Sequence, residues 1–131
     1  MKQFFLLLTA AMALLNCQDK APGNPMVSTA DIDHFWDAYD KITATQDTAL
    51  QARYLDSLYF SRGTAGLAAI RQARNYTAAD YLHAIRNYPA FWASIRKNTQ
   101  EAGQAGAALE DGIAQLKGLY PSLKPAKIYF T

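Results

Sequence analysis

Apolar residues recur every three or four positions along most of this chain, and that spacing limits its possible folds more than any other feature. A helix turns once in about 3.6 residues, so this spacing places the apolar side chains on one face. The first such series comprises Ile32, Phe35, Trp36, Tyr39 and Ile42. We therefore predict an all-α fold, an orthogonal or bundle-like array of four to six helices.

Capping residues and breakers predict where these helices begin and end. Ser28 or Thr29 is expected to cap the first helix and Thr45 or Asp47 the second, since short polar side chains accept bonds from free N–H groups. The second helix is predicted to run to about Ser61, with Gly63 as its left-handed C′ residue. Thr77-Ala78-Ala79-Asp80 resembles a capping box, and Pro89 should end one helix and begin the next.

The helical register runs on from Phe91 to Tyr120, through Ile95, Thr99, Ala102, Gly106, Leu109, Ile113 and Leu116. Each glycine in a helix interior costs about 1 kcal/mol, so a break near Gly103 to Gly106 is one reading and one long helix is the other. Residues 127–130, Lys-Ile-Tyr-Phe, read as a β-strand. Because every other segment reads as helical, we predict an orphan strand whose partner is missing, and hence a truncated chain.

The N-terminus has the features of an export signal. Lys2 precedes an apolar run from Phe4 to Leu15, broken only by Thr9 and too short for the ~20 residues that span a bilayer. Leu14-Leu15-Asn16-Cys17 resembles the lipobox of bacterial lipoproteins and contains the single cysteine. The resemblance implies that residues 1–16 are a signal peptide and that Cys17 becomes the lipidated first residue of the mature protein.

The predicted organisation follows from that cleavage. Residues 17–27 would form the lipidated cysteine and a Pro- and Gly-containing tether, and residues 28–131 the helical domain. The chain would be exported and held at the outer membrane, on either its periplasmic or its surface face. Two alternatives stay open: cleavage after Ala13 would release a soluble protein, and the apolar run could be a buried helix.

Charge excludes one class of function. The formal net charge is only +2, too little for nucleic-acid binding driven by counterion release. Residues 18–60 carry three basic and seven acidic residues, whereas residues 61–131 carry nine basic and four acidic ones. This division favours two surfaces that help the halves pack, and the alternative is attraction of an anionic partner to the second half.

Catalytic and metal-binding motifs are sparse in the sequence. His34 lies near Asp31, Asp33 and Asp37, but no H-E-x-x-H or C-x-x-C occurs, and capping and surface solvation explain these residues better than a metal does. The Phe35-Trp36 and Phe91-Trp92 pairs could stack on a ligand, although their helical spacing favours core packing. We therefore assign no catalytic, metal or cofactor residue, and Cys17 is the one predicted functional residue.

Several segments in order resemble a family of predicted zinc-dependent peptidases among bacteroidete lipoproteins, related to the gliding-motility lipoprotein GldB. They are Phe35-Trp36-Asp37-Ala38-Tyr39-Asp40, Gly63-Thr64-Ala65-Gly66-Leu67, Pro89-x-Phe91-Trp92-x-Ser94-Ile95-Arg96-x-Asn98-Thr99, Leu119-Tyr120-Pro121 and Ile128-Tyr129-Phe130. The resemblance implies that a helical part precedes a catalytic part bearing H-E-x-x-H and zinc. That catalytic part is absent from this chain, so no ligand or base is carried over and no peptidase activity is expected of it.

Two functions follow as hypotheses. The first is a non-catalytic helical region of a peptidase-like lipoprotein, anchored to the membrane through Cys17 and supporting a catalytic part, with other envelope proteins as possible partners. The second is a stand-alone binding or scaffold lipoprotein whose basic second half contacts an anionic partner.

Overall fold

The computed structural model describes residues 26–131, so Cys17, the leader and all but the last two residues of the predicted tether lie outside it. Its described residues form six α-helices and two short strands. In chain order these are β1 (Val27–Ser28), α1 (Ala30–Thr43), α2 (Thr48–Tyr54), a π-helical continuation of α2 (Leu55–Phe60), α3 (Ala65–Arg74), α4 (Ala78–Asn87), α5 (Pro89–Gln100), α6 (Ala102–Leu119) and β2 (Ile128–Tyr129). The predicted all-α class is confirmed.

Three of the predicted helix starts are confirmed by their capping geometry. The Asp47 side chain accepts bonds from the N–H groups of Ala49 and Leu50, and Pro89 opens α5. Thr77 and Asp80 form a complete capping box, whose hydrogen bonds from Thr77 hold the pKa of Asp80 below its usual value. Thr29 does occupy the N-cap position of α1, but its side chain makes no capping bond.

The prediction for Gly63 is wrong. The second helix runs through the π-helical segment to Phe60, and no glycine among the described residues has a positive φ. Gly63 instead permits close packing, since a Cβ there would lie 2.7 Å from Leu67 Cδ2. The left-handed residue is Asn75, with φ of 53°, which ends α3 and tolerates that conformation through its short polar side chain.

The predicted orphan strand has a partner, so this expectation is also wrong. β2 pairs with β1 in parallel, with Val27 opposite Ile128 and Ser28 opposite Tyr129. The Ile128 N–H donates to Met26 O at 2.8 Å and the Phe130 N–H to Ser28 O at 2.9 Å. The sequence does not reveal this partner strand, because Val27 ends a Pro- and Gly-containing stretch that is typical of a flexible tether.

The core lies where α1 packs against α2 and its π-helical continuation, with α4 and α5 closing one side. Its buried side chains come from four segments and include Phe35, Trp36, Ile42, Leu55, Tyr59, Leu67, Leu82 and Ile85. Core packing of the Phe35-Trp36 pair is thus confirmed. In the second pair Trp92 packs against this core, whereas Phe91 is exposed.

The region from Phe91 to Tyr120 is two helices, separated at Glu101 rather than at Gly103 to Gly106. Beyond Gly106 the predicted apolar register is not buried: Leu109, Leu116 and Tyr120 are all exposed. α6 packs through Ala102 and Gly106 near its start, and none of residues 107–120 is buried. None of the helices within residues 26–131 has the length and apolar character needed to cross a bilayer.

Candidate functional site

An aromatic cleft is one of several concave features of the described part of the chain, and aromatic residues form much of its walls. It has a volume of about 260 Å³ and is lined by α1, the π-helical segment and helices α3 to α5. The aromatic residues in its walls are Phe35, Trp36, Tyr59, Tyr76, Tyr81 and Trp92. Ile70 and Tyr76, which are 37% and 48% exposed, place its opening beside α3.

Ring contacts fix the shape of the cleft. The Phe35 ring lies 5.1 Å from Trp36, 5.4 Å from Tyr59 and 5.0 Å from Trp92, measured between centroids. Edge-to-face and tilted pairs at such distances stabilise beyond the area they bury. The four aromatic residues belong to three separate segments, so their packing holds those segments together.

Both indole N–H groups are satisfied inside the domain. Trp36 Nε1 donates to Thr99 Oγ1 at 3.0 Å, and Trp92 Nε1 donates to Ala84 O at 3.0 Å. These bonds tie α1 to α5 and α5 to α4. The tryptophans therefore act first as structural residues, and a ligand in the cleft would meet ring surface rather than free indole donors.

Two tyrosines contribute hydroxyl groups near the cleft. The rings of Tyr59 and Tyr81 lie 5.7 Å apart, and burial raises the pKa of both phenols above their usual value. The negative charge of Asp31 adds to this rise for each phenol, whereas the positive charge of Arg71 opposes it. Both tyrosines therefore remain neutral near pH 7.

Asp31 is the main polar residue of the cleft wall, and its predicted surface position is wrong. It is only 1% exposed. Its Oδ1 accepts the Thr64 N–H at 2.8 Å, and its Oδ2 accepts the Thr64 hydroxyl at 2.5 Å. The carboxylate thereby fixes the first turn of α3 against the first turn of α1. The 33-residue separation explains why no local sequence pattern reveals this contact.

The other acidic residues near His34 do not converge on it. Asp33 is exposed, and Asp37 pairs with Arg62 at 3.3 Å. His34 is half-buried, and its Nδ1 has no hydrogen-bond partner. Across residues 26–131, no group of three His, Cys, Asp or Glu side chains could hold a metal ion.

The two halves of opposite charge meet inside the domain. Arg96 donates to both carboxylate oxygens of Asp40 at 2.6 and 2.8 Å, and its guanidinium lies 4.9 Å from the centre of the Trp36 ring. The Arg71 guanidinium stacks 3.4 Å above the centre of the Phe60 ring. Together with the Asp37–Arg62 pair, these contacts engage three basic residues of the second half within the fold.

The fold and this cleft define a small all-α domain organised around an aromatic cluster. Comparison of the chain with protein-family models, with curated proteins and with solved structures finds no match.

Proposed function

We propose that this chain is an exported lipoprotein held at the bacterial outer membrane by lipid on Cys17. We further propose that its helical domain is a non-catalytic scaffold of the kind that precedes the catalytic part in the GldB-like, zinc-peptidase family. Zinc would belong to that catalytic part, since no metal ligand is assigned on this chain. The scaffold would hold the neighbouring part in position near the membrane.

One observation carries the scaffold proposal: the segments that resemble the family pack against one another. Trp36 bonds to Thr99, and Asp40 pairs with Arg96. Gly66 lies so close to Tyr129 that a Cβ at Gly66 would be 2.4 Å from the Tyr129 Cβ. The residues on which the family resemblance rests thus join α1 to α5 and α3 to β2.

The strand pair supports the same role. Within residues 26–131, β2 pairs only with β1, so the sheet has just two strands. A two-stranded sheet is marginal alone, and an open strand edge offers backbone donors and acceptors to a further strand. Such an edge suits a domain that continues its sheet into an adjoining catalytic part.

Lipid attachment is tested by expressing the full chain in a bacterium with lipoprotein processing and measuring the mass of its N-terminal peptide. We expect an acylated peptide beginning at Cys17, and the Cys17→Ser variant should be unacylated and uncleaved at this site. A peptide beginning at Leu14 with an unmodified thiol would contradict the proposal and favour cleavage after Ala13.

The scaffold role is tested separately, on the DNA beyond the codon for Thr131 and in the neighbouring genes. We expect it to encode a Gly-rich strand-turn followed by H-E-x-x-H. If it encodes neither, the peptidase-related part of the proposal fails, while lipid attachment at Cys17 is unaffected.

A stand-alone binding lipoprotein is the second candidate, favoured by the charge of one segment. Residues 112–131 contain Lys117, Lys124 and Lys127 and no acidic residue. An anionic envelope partner would be attracted to this segment. This candidate requires the mature chain to fold and remain monodisperse without a catalytic part, which sedimentation of the purified protein measures.

A further inference from the structure

We propose that the end of α6 is a second membrane contact, in which Leu116, Leu119 and Tyr120 enter the headgroup region of an anionic bilayer. We call these three residues the α6 tip. The proposal rests on the proposed lipid attachment at Cys17 for the way in which the domain is brought to the bilayer. It adds to that anchor a surface that orients the domain.

The α6 tip is exposed although it is apolar. Leu116 is 49% exposed, Leu119 86% and Tyr120 56%. Near its start α6 is covered, since a Cβ at Gly106 would lie 3.3 Å from Thr29 Cγ2. Farther along, none of residues 107–120 is buried. The distal half of α6 thus projects from the described domain with its leucines uncovered.

The tip and the turn after it form one compact unit. Tyr120 N–H donates to Leu116 O at 2.8 Å, and Leu123 N–H donates to Tyr120 O at 3.0 Å. Lys117 Nζ donates to Leu123 O at 2.5 Å, which draws the turn back towards the helix. The apolar side chains and Lys117 are therefore presented together.

Charge favours an anionic bilayer as the occupant. The segment 112–131 has three lysines and no acidic residue, so its charge is complementary to anionic headgroups. Leucines beside lysines form the usual surface of a helix end that lies in a membrane interface, and tyrosine is enriched at that depth. Lysine is depleted in protein–protein interfaces, which makes a protein occupant the poorer fit.

Chain length also favours the bilayer. Val27 N–H donates to Glu110 Oε1 at 3.1 Å, so the first described strand meets α6 near its middle. The ten residue steps from Cys17 to Val27 span at most about 35 Å. From Glu110 to Leu119 the helix rises about 14 Å. A bilayer holding the lipid of Cys17 is thus within reach of the tip.

The test places an indole at the tip. The full chain carrying Tyr120→Trp is purified after processing and reconstituted in vesicles of phosphatidylcholine and phosphatidylglycerol, with and without brominated acyl chains. We expect brominated lipid to quench the added indole at least twofold more than the indoles of the unsubstituted chain. Tyr88→Trp is the matched control, because Tyr88 is 57% exposed at the junction of α4 and α5.

A second variant tests the contact itself. Leu116→Asp and Leu119→Asp, added to Tyr120→Trp, change exposed positions and should leave the far-ultraviolet spectrum unchanged while abolishing the quenching. Quenching that persists in this variant overturns the proposal. Quenching of equal strength in vesicles of phosphatidylcholine alone overturns the role of the lysines.

The mass of the N-terminal peptide, measured on the same samples, separates this proposal from the anchor. If Cys17 is lipidated but the indole introduced by Tyr120→Trp is not quenched, the tip contact is overturned and the proposed lipid attachment is unaffected. An unmodified Cys17 with quenching in added vesicles supports the tip contact and refutes the anchor. A blue-shifted indole that lipid does not quench means that protein covers the tip, and it overturns the proposal.

Discussion

At the scale of single residues, a buried carboxylate fixes how α1 meets α3. Asp31 is almost fully buried and accepts two bonds from Thr64. Burying a carboxylate away from water costs free energy unless its hydrogen bonds are made, and the half-buried Thr64 supplies two of them. The residue that the sequence assigns to the solvent is thus a structural link across 33 positions.

We therefore expect Asp31→Ala to lower the free energy of unfolding by about 2 kcal/mol, because the half-buried donors of Thr64 lose their acceptor. Asp33→Ala is the matched control in the same helical turn, and its exposed side chain should change stability by about 0.5 kcal/mol at most. Urea unfolding of the mature chain measures both values. Equal effects of the two substitutions would contradict this role of Asp31.

Asp40 gives a prediction about pH. Hydrogen bonds from Arg96 hold the pKa of Asp40 below its usual value of 3.8, against the opposing effect of partial burial. Because the folded-state pKa is the lower one, the stabilisation is complete above about pH 4 and is lost as the pH falls through the folded-state pKa. Both side chains are partly exposed, so the pair contributes about 0.5 kcal/mol.

Asp40→Asn should accordingly destabilise the domain slightly at pH 7, and the difference from the parent should shrink as the pH falls below about 4. Urea unfolding at several pH values measures this difference. Asp111→Asn, an exposed position on α6, is the control and should show no such dependence. A difference that grows as the pH falls would contradict the assigned sign.

At the scale of elements, two glycines in helices have opposite roles. Gly66 of α3 leaves room for Tyr129 of β2, whereas Gly112 of α6 faces open space. Helix propensity alone would favour alanine at both positions by about 1 kcal/mol. At Gly66 the contact with Tyr129 makes alanine unfavourable, whereas at Gly112 no such contact opposes the higher helix propensity of alanine.

We expect Gly66→Ala to destabilise the domain by about 2 kcal/mol and to speed hydrogen exchange at the Ile128 and Phe130 amides, which donate to Met26 O and Ser28 O. Gly112→Ala should instead slow exchange within α6, by a factor that corresponds to about 1 kcal/mol. Hydrogen exchange measured by NMR at the Ile128 and Phe130 amides and at the amides of α6 distinguishes the effects of the two substitutions. A stabilising Gly66→Ala would refute the close α3–β2 packing.

At the scale of the whole molecule, stability is unevenly distributed. Helix α1 and the segment from Thr48 to Phe60 share the buried core, whereas the distal half of α6 has no buried residue. An isolated helix of that length is marginal in water, so tertiary packing must supply most of its stability. Within the described residues, α6 packs against the rest of the domain only near its start, at Ala102 and Gly106.

The amides of residues 112–118 should therefore exchange through local opening, at a free energy several kcal/mol below that of the amides of Ile42 and Leu55. Native-state hydrogen exchange at increasing urea measures both groups. Anionic vesicles should raise the protection of residues 112–118 while leaving the core values unchanged. Equal protection of both groups in the absence of vesicles would contradict the independent opening of α6.

The helical class is predictable from the sequence, because the spacing of apolar residues, the capping side chains of Asp47 and Thr77 and the position of Pro89 are all local signals. The sequence also predicted that Phe35 and Trp36 pack in the core. Lipid attachment at Cys17, which lies outside the described residues, stays a prediction.

Contacts between residues that are far apart in the chain become visible only in the folded domain. Val27 pairs with Ile128, Asp31 bonds to Thr64, and Gly66 receives Tyr129. The same limit explains why Leu116 and Tyr120 keep the apolar spacing of a buried face and yet are exposed. Periodicity shows which face of a helix is apolar. Whether that face is buried depends on segments that are distant in the sequence, or on a membrane or protein outside the domain.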